Sequence, residues 1–165
     1  MAFDIYEFRE DVVKPALAAI NLLSDSAVNL LLGTCAQETA FGTFLIQKKI
    51  GYEGGLGIYQ MERNTYNFVW DAKVQPSPAV RAKIRVYLGY DGKPPAYRLV
   101  SDLALATIMA RLYYHTFTEP LPEPNDIPGL AHYYKLYWNT PNGAATEQQF
   151  ISNYERYVAK CPINS

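Results

Sequence analysis

Apolar residues recur at helical spacing along most of this chain, and one glycine-rich stretch breaks the pattern. Ile5, Phe8, Val12 or Val13, Leu17 and Ile20 mark one face of a segment from Phe3 to Leu23. Pro15 is expected to kink that segment or to begin a second piece, because proline lacks the backbone donor. Ser24, Asp25 or Ser26 then offers an N-cap for a second helix whose stripe runs through Ala27, Leu30, Leu31 and Thr34 or Cys35, with Gly42 as its expected terminator. Further helical patterns begin near Asn64 or Thr65, follow the Pro-Ser-Pro at 76–78 through Tyr87, and run from Val100 to about Phe117, about Ile127–Trp138 and Ala145–Ala159. Between the second and third patterns, residues Thr43 to Tyr59 carry β-branched and aromatic side chains around glycines, which predicts a short hairpin or irregular lobe. The fold class expected is mainly α (α+β), a single helical domain over residues 1–165 with a small β-hairpin lobe.

The totals exclude several function classes. The 165 residues are 49% hydrophobic with a formal net charge of −1, so there is no basic footprint for nucleic acid or for anionic lipid. No apolar stretch approaches the roughly 20 residues that span a bilayer, so no stable membrane insertion is expected. The acidic N-terminal stretch reads as neither signal nor transit peptide, which predicts synthesis in the cytoplasm without a leader of its own. Cys35 and Cys161 make no disulfide framework and no CxxC pair. Cys35 reads as an inert buried thiol. His115 and His132 sit in no metal-ligand motif, and no metal or cofactor is expected. The glycines of "GYEGGLG" lack the features of a phosphate-binding or dinucleotide loop.

The residue out of keeping with its surroundings is Glu38, which falls on the apolar stripe of the second helix. Two readings are open. It is an edge residue, turned outward or paired with Lys48 or Lys49, since charged groups are rarely buried alone. Or the helix end aims it into a partly apolar cleft, where desolvation holds the carboxyl protonated and ready to donate to a poor leaving group such as a glycosidic oxygen.

The dipeptide Glu38-Thr39 is followed by "GIYQM", Gly57 to Met61, and by "ERNT", Glu62 to Thr65. This order resembles the lytic transglycosylase and goose-type lysozyme group, in which a Glu-Ser at a helix end precedes a Gly-Leu-Met-Gln segment and a helix opening in Pro-x-Thr. Here Thr39 stands for the serine and Arg63 stands where proline is commonest. More weakly, Asp102 to His115 is similar to the family's alanine-rich helix, and Tyr137-Trp138-Asn139 to its Ala-Tyr-Asn-Ala-Gly segment. The likeness covers roughly residues 25 to 145 and extends to murein-degrading domains of phage virion proteins.

The resemblance implies a lysozyme-like fold that cleaves the β-1,4 bond between N-acetylmuramic acid and N-acetylglucosamine in peptidoglycan, with Glu38 as general acid. It implies that Gln60, with Tyr59 and Met61, floors the sugar site, that Thr39 and Asn139 contribute, and that one of Tyr133, Tyr134 or Tyr137 lies beside Glu38 or flanks the sugar. A conventional hydrolase needs a second carboxylate, for which Glu53 and Glu62 are the nearby candidates; a single glutamate suits the transglycosylase route. The partners implied are glycan strands and other virion proteins, with action at the cell wall after packaging in a phage particle or release through a holin lesion. The alternative is a non-catalytic wall-binding or virion-structural module on the same scaffold.

Overall fold

The computed structural model describes residues 4–49 and 52–160, with backbone alone at residues 48, 49, 52 and 53. The first helical segment consists of α1 (Ile5–Glu7), a π-helical stretch (Phe8–Val13) and α2 (Lys14–Ala19). The Lys14 N–H bonds back to Arg9 O, so the wider turn lies immediately ahead of Pro15, the residue with no N–H to continue an α-helical ladder. Pro15 therefore sits in the first turn of α2 rather than breaking the chain.

Helix α3 (Asp25–Thr39) begins at Ser24, whose hydroxyl oxygen accepts the Ala27 N–H at 3.1 Å. Its end differs from expectation. The chain turns left-handed at Ala40 (φ 46°), two residues before Gly42, and stays so through Phe41 (φ 56°) and Gly42 (φ 77°). Two non-glycine residues in this region cost about 1–2 kcal/mol each. The offset is Phe41, which the turn buries to 2% exposure between Phe8 and Tyr157; burying a phenyl ring contributes about 2–3 kcal/mol.

The glycine-rich lobe is an antiparallel hairpin of β1 (Ile46–Lys49) and β2 (Tyr52–Leu56), pairing Ile46 with Leu56 and Lys48 with Glu53. The register slips by one residue between these pairs, a bulge in β2 where Gly54 and Gly55 oppose Gln47, and Gly54 lies against the Gln47 carbonyl where a Cβ would have no room. A tight turn at Gly57–Gln60 follows, closed by the bridge between Leu56 and Met61.

The remaining elements are α4 (Arg63–Val69) running into a π-helical turn (Trp70–Val74), α5 (Pro78–Leu88), the short α6 (Arg98–Ser101), α7 (Leu103–Tyr114), α8 (Ile127–Tyr134) running into a third π-helical turn (Lys135–Asn139), and α9 (Glu147–Tyr157). Ser77, Asp102, Asp126 and Thr146 cap α5, α7, α8 and α9. The architecture is mainly helical with one small two-stranded sheet, as expected; α6 and the three π-helical stretches were not legible as separate elements.

Helix α3 forms the centre, with Leu30, Leu31, Leu32, Thr34 and Cys35 all fully buried, and it packs against α7, α8 and α9. The α9 crossing is close because residue 33 is glycine: a Cβ there would stand 2.2 Å from the Phe150 ring. No helix among the described residues is long and apolar enough to cross a membrane.

Candidate active site

Glu38 lies on the last turn of α3, half-buried, at the wall of a cleft of about 500 Å³. Its carboxyl lines the cleft and is not turned outward. The side chains of Lys48 and Lys49, the possible surface partners, lie outside the described residues. The Tyr134 hydroxyl reaches across from α8 and donates to Glu38 Oε1 at 2.6 Å. Burial pushes the Glu38 carboxyl up from 4.5 to about 7, against a smaller downward pull from the Tyr134 hydrogen bond. Tyr134 is itself buried beside this carboxyl, which pushes its phenol far above the ordinary value and makes it a donor throughout the accessible pH range.

One side of the cleft is the hairpin lobe, through Phe44, Gln47 and Gly55. Its floor is Gln60, Met61 and Glu62, with Thr65 from α4. The far side is Tyr113, Trp138, Asn139, Thr140 and Ala144. Of the residues the sequence suggested, Glu38, Gln60, Met61, Glu62 and Asn139 thus meet at one cavity, and Tyr134 touches Glu38 directly. Gln60 holds a left-handed conformation (φ 51°) and its amide donates to Gly57 O at 2.7 Å, while its buried Oε1 has no partner. Glu62, the N-cap residue of α4, is exposed, and the side chain of Glu53 lies outside the described residues.

Four of the suggested sugar-contacting residues do other work. Tyr59 is 1% exposed, its hydroxyl against Thr107 Oγ1 at 3.1 Å in the core beside Cys35. Thr39 is equally buried: its hydroxyl donates to Ile58 O at 2.9 Å and accepts the Gly42 N–H at 2.9 Å, tying the end of α3 to the loop under the cleft. Tyr133 donates to Glu119 O at 3.0 Å, and Tyr137 packs on Phe117 and Tyr133 at ring separations of 4.2 and 4.6 Å. The reason is helical phase. Residues 134 and 138, four apart, share the face toward the cleft, while 133 and 137 share the next face round.

The same phase identifies the residue that the sequence reading left out of the site. Once Tyr134 is fixed on Glu38, Trp138 follows at i+4, and its indole meets Tyr113 edge-on at 5.3 Å to build an aromatic wall. Phe44, nearly half exposed, faces the cavity from the lobe and carried no sequence signal. Cys35, one turn before Glu38, is fully buried, and burial pushes its thiol well up, so it is a packing residue and not a nucleophile.

Because Thr39 supports the site from below, Thr39→Val is expected to leave Ile58 O and the Gly42 N–H without their partner at nearly constant shape. The expected loss is about 2–3 kcal/mol of unfolding free energy, read by urea titration. Comparison with models of protein families, with curated proteins and with solved structures gives no match to this chain.

Proposed function

We propose that the chain is a peptidoglycan-cleaving enzyme of lysozyme-like architecture, acting on the β-1,4 bond between N-acetylmuramic acid and N-acetylglucosamine, with Glu38 as its general acid and then its base. The observation that carries this reading is a carboxyl half-buried at the wall of a cleft, hydrogen-bonded by Tyr134 and pushed by its burial toward a neutral-range pKa. A glycosidic oxygen leaves only when a proton is delivered to it, and an acid with a pKa near the working pH delivers it best. The lining suits a sugar: Trp138, Tyr113 and Phe44 offer faces and edges to an apolar ring surface. The free Oε1 of Gln60 is an acceptor suited to an acetamido N–H.

Among the described residues lining the cleft, a single half-buried carboxyl favours the transglycosylase route over hydrolysis. Glu38 protonates the leaving oxygen as the C1–O bond breaks. It then takes the proton of the same sugar's 6-hydroxyl, whose oxygen closes on C1 to form an anhydro ring. The net proton passes from the 6-hydroxyl to the leaving sugar, and no water is consumed. Glu62 shares the cleft but stands exposed at the N-cap of α4. The glycan strand is the partner this requires. Delivery in a virion or through a membrane lesion belongs to the same proposal.

The reading is tested by substrate choice and pH together. Purified murein is expected to be cleaved faster than chitin oligomers. The rate is expected to fall as pH rises through about 7, where Glu38 ionises and loses the proton it must give. A rate that continues to climb above that pH, or preference for chitin, contradicts it.

A further inference from the structure

The near-zero net charge of the chain is unevenly spread. Residues 63–101, which carry α4 to α6, hold seven of the fifteen lysines and arginines and two of the sixteen acidic residues. On these elements lies a second cavity, of about 770 Å³, that shares no lining residue with the cleft of Glu38. Its walls come from α5, from Trp70 on the π-helical turn and from the loop that follows Gly89.

The phase of α5 explains what the cavity presents. The helix docks through Val80, Ile84 and Leu88, four residues apart on one face, with Ile84 fully buried. Two positions on, about 200° round the helix, Pro78, Ala82 and Val86 form a second apolar row at the same spacing. All three are exposed and line the cavity. Val86, at 87%, is the most exposed large apolar side chain among the described residues. A scattered apolar residue at the surface is ordinary, but a continuous row along a cavity marks an interaction surface.

Beside that row run Arg81 and Arg85, which line the same cavity. Arg81 donates to Gln75 O, and Arg85 Nε pairs with Asp91 Oδ1 at 2.7 Å. A guanidinium has five N–H donors, so each arginine keeps donors for a further acceptor. The Arg85–Asp91 pair is exposed on both sides, where such pairs are worth little and an incoming carboxylate can compete. Asp91 is the single acid among the described lining residues.

We infer that this face docks an acidic segment of a partner protein, which sets an apolar side chain on the Pro78–Ala82–Val86 row and flanking carboxylates on Arg81 and Arg85. Charge gives the sign of the occupant, and the apolar row gives its kind. A phosphate polymer has the charge but nothing to place on Val86. A nucleic acid asks for exposed ring faces on which to stack bases, and Trp70, the indole in this cavity, is only 3% exposed. A protein segment supplies both carboxylates and apolar groups, and arginine beside apolar contacts is the composition that recurs in protein interfaces. The carboxylates would be held by paired N–H donors, the geometry in which arginine binds them best. Thr65, in the first turn of α4, lines the Glu38 cleft, whereas Trp70 follows the last residue of that helix. A partner seated here and a strand in the cleft therefore occupy different surfaces, and the inference does not depend on what Glu38 does.

The test titrates the nitrogen-15-labelled full chain with short peptides and follows its amides by nuclear magnetic resonance. The probes are a peptide of Glu-Leu-Ala repeats, its Lys-Leu-Ala counterpart and its Glu-Ser-Ala counterpart. The first is expected to shift amides of residues 78–92 and the other two to leave them in place. Neutralising both arginines, Arg81→Gln with Arg85→Gln, is expected to weaken that binding by about tenfold, and raising the salt from about 50 to about 500 mM to weaken it severalfold. Val86→Ser alters no charge and is expected to weaken it by about fivefold. Far-UV circular dichroism is expected to be unchanged in all these variants, whose side chains lie on the outer side of α5. Equal binding of the Lys-Leu-Ala peptide, or binding indifferent to Val86→Ser, overturns the inference. So does sodium polyphosphate that shifts the same amides as strongly as the Glu-Leu-Ala peptide, since the face would then read charge alone. Self-association in sedimentation velocity that Val86→Ser abolishes would assign the face to a second copy of the chain and overturn it as well.

Discussion

Glu38→Gln is expected to lower the rate of murein cleavage by about 10³-fold while making the protein more stable at alkaline pH. Glutamine keeps the shape and still accepts the Tyr134 hydroxyl, but it has no proton to deliver, and loss of general acid catalysis costs on the order of 10²–10⁴ in rate. The stability half follows from linkage. The Glu38 carboxyl sits at about 7 in the folded chain against an ordinary 4.5, so its folded-state value is raised. Its contribution is fully favourable below about 4.5 and is lost as pH rises toward 7, where the unfolded chain ionises freely and the folded chain resists. At pH above that window the wild type is penalised by up to about 3 kcal/mol, somewhat less because the group is only half-buried. The glutamine variant escapes this. Urea unfolding at pH 5 and pH 8 is expected to show the two proteins close together at the first and the variant ahead by about 2–3 kcal/mol at the second. Equal stability at both, with undiminished cleavage, removes Glu38 from the role given to it. A destabilising ionisable group retained in a cleft has the character of a functional group, since stability alone would favour the neutral amide.

The second large effect lies under the floor of the cleft. Gly57 has φ 72°, and a Cβ there would stand 2.1 Å from the Leu99 carbonyl oxygen, a backbone atom that cannot swing away. Its N–H bonds to Leu45 O at 2.8 Å and its carbonyl accepts both the N–H and the side-chain amide of Gln60, at 3.1 and 2.7 Å. Gly57→Ala therefore combines an unfavourable left-handed backbone with a collision, and it displaces the residues that hold Gln60 and Met61 in place. A cost of about 3 kcal/mol or more is expected, since strain and overpacking add. In a calorimetric scan this appears as a fall in Tm of roughly 6–12 °C for a chain of this size. Any of the variant that remains folded is expected to bind glycan poorly, as Gln60 loses its anchor. Gly92 is the control, because a Cβ there meets nothing within 4 Å, and Gly92→Ala is expected to be nearly silent.

How far the sequence could be read depended on whether a single helix or several were involved. The Ser24 cap, the Glu38 position on the α3 stripe and the Thr43–Tyr59 lobe are local patterns, and the structure has each of them. Glycine is the cheapest residue for a left-handed turn, which points to Gly42 as the end of α3, whereas the burial of Phe41 draws the turn back to Ala40. Among the tyrosines the choice turned on helical phase. One step along α8 rotates a side chain by about 100°, enough to separate Tyr134 on Glu38 from Tyr133 on Glu119. The widened turn at Lys135–Asn139 leaves no signature in the apolar spacing. The family resemblance places Thr39 and Tyr59 at the sugar with Glu38 and Gln60, but one step along a helix or tight turn points them into the core while Glu38 and Gln60 line the cleft. The hydroxyls of Thr39 and Tyr59 are used inside the protein, on Ile58 and Thr107.

The measurement that bears most directly on the whole account is the mass of what purified murein releases on incubation with the wild-type protein at slightly acidic pH. Soluble muropeptides ending in an anhydro sugar, each one water lighter than its reducing counterpart, are expected, and are expected to be absent with Glu38→Gln. Intact glycan strands, or fragments cut only within the peptides, would contradict it.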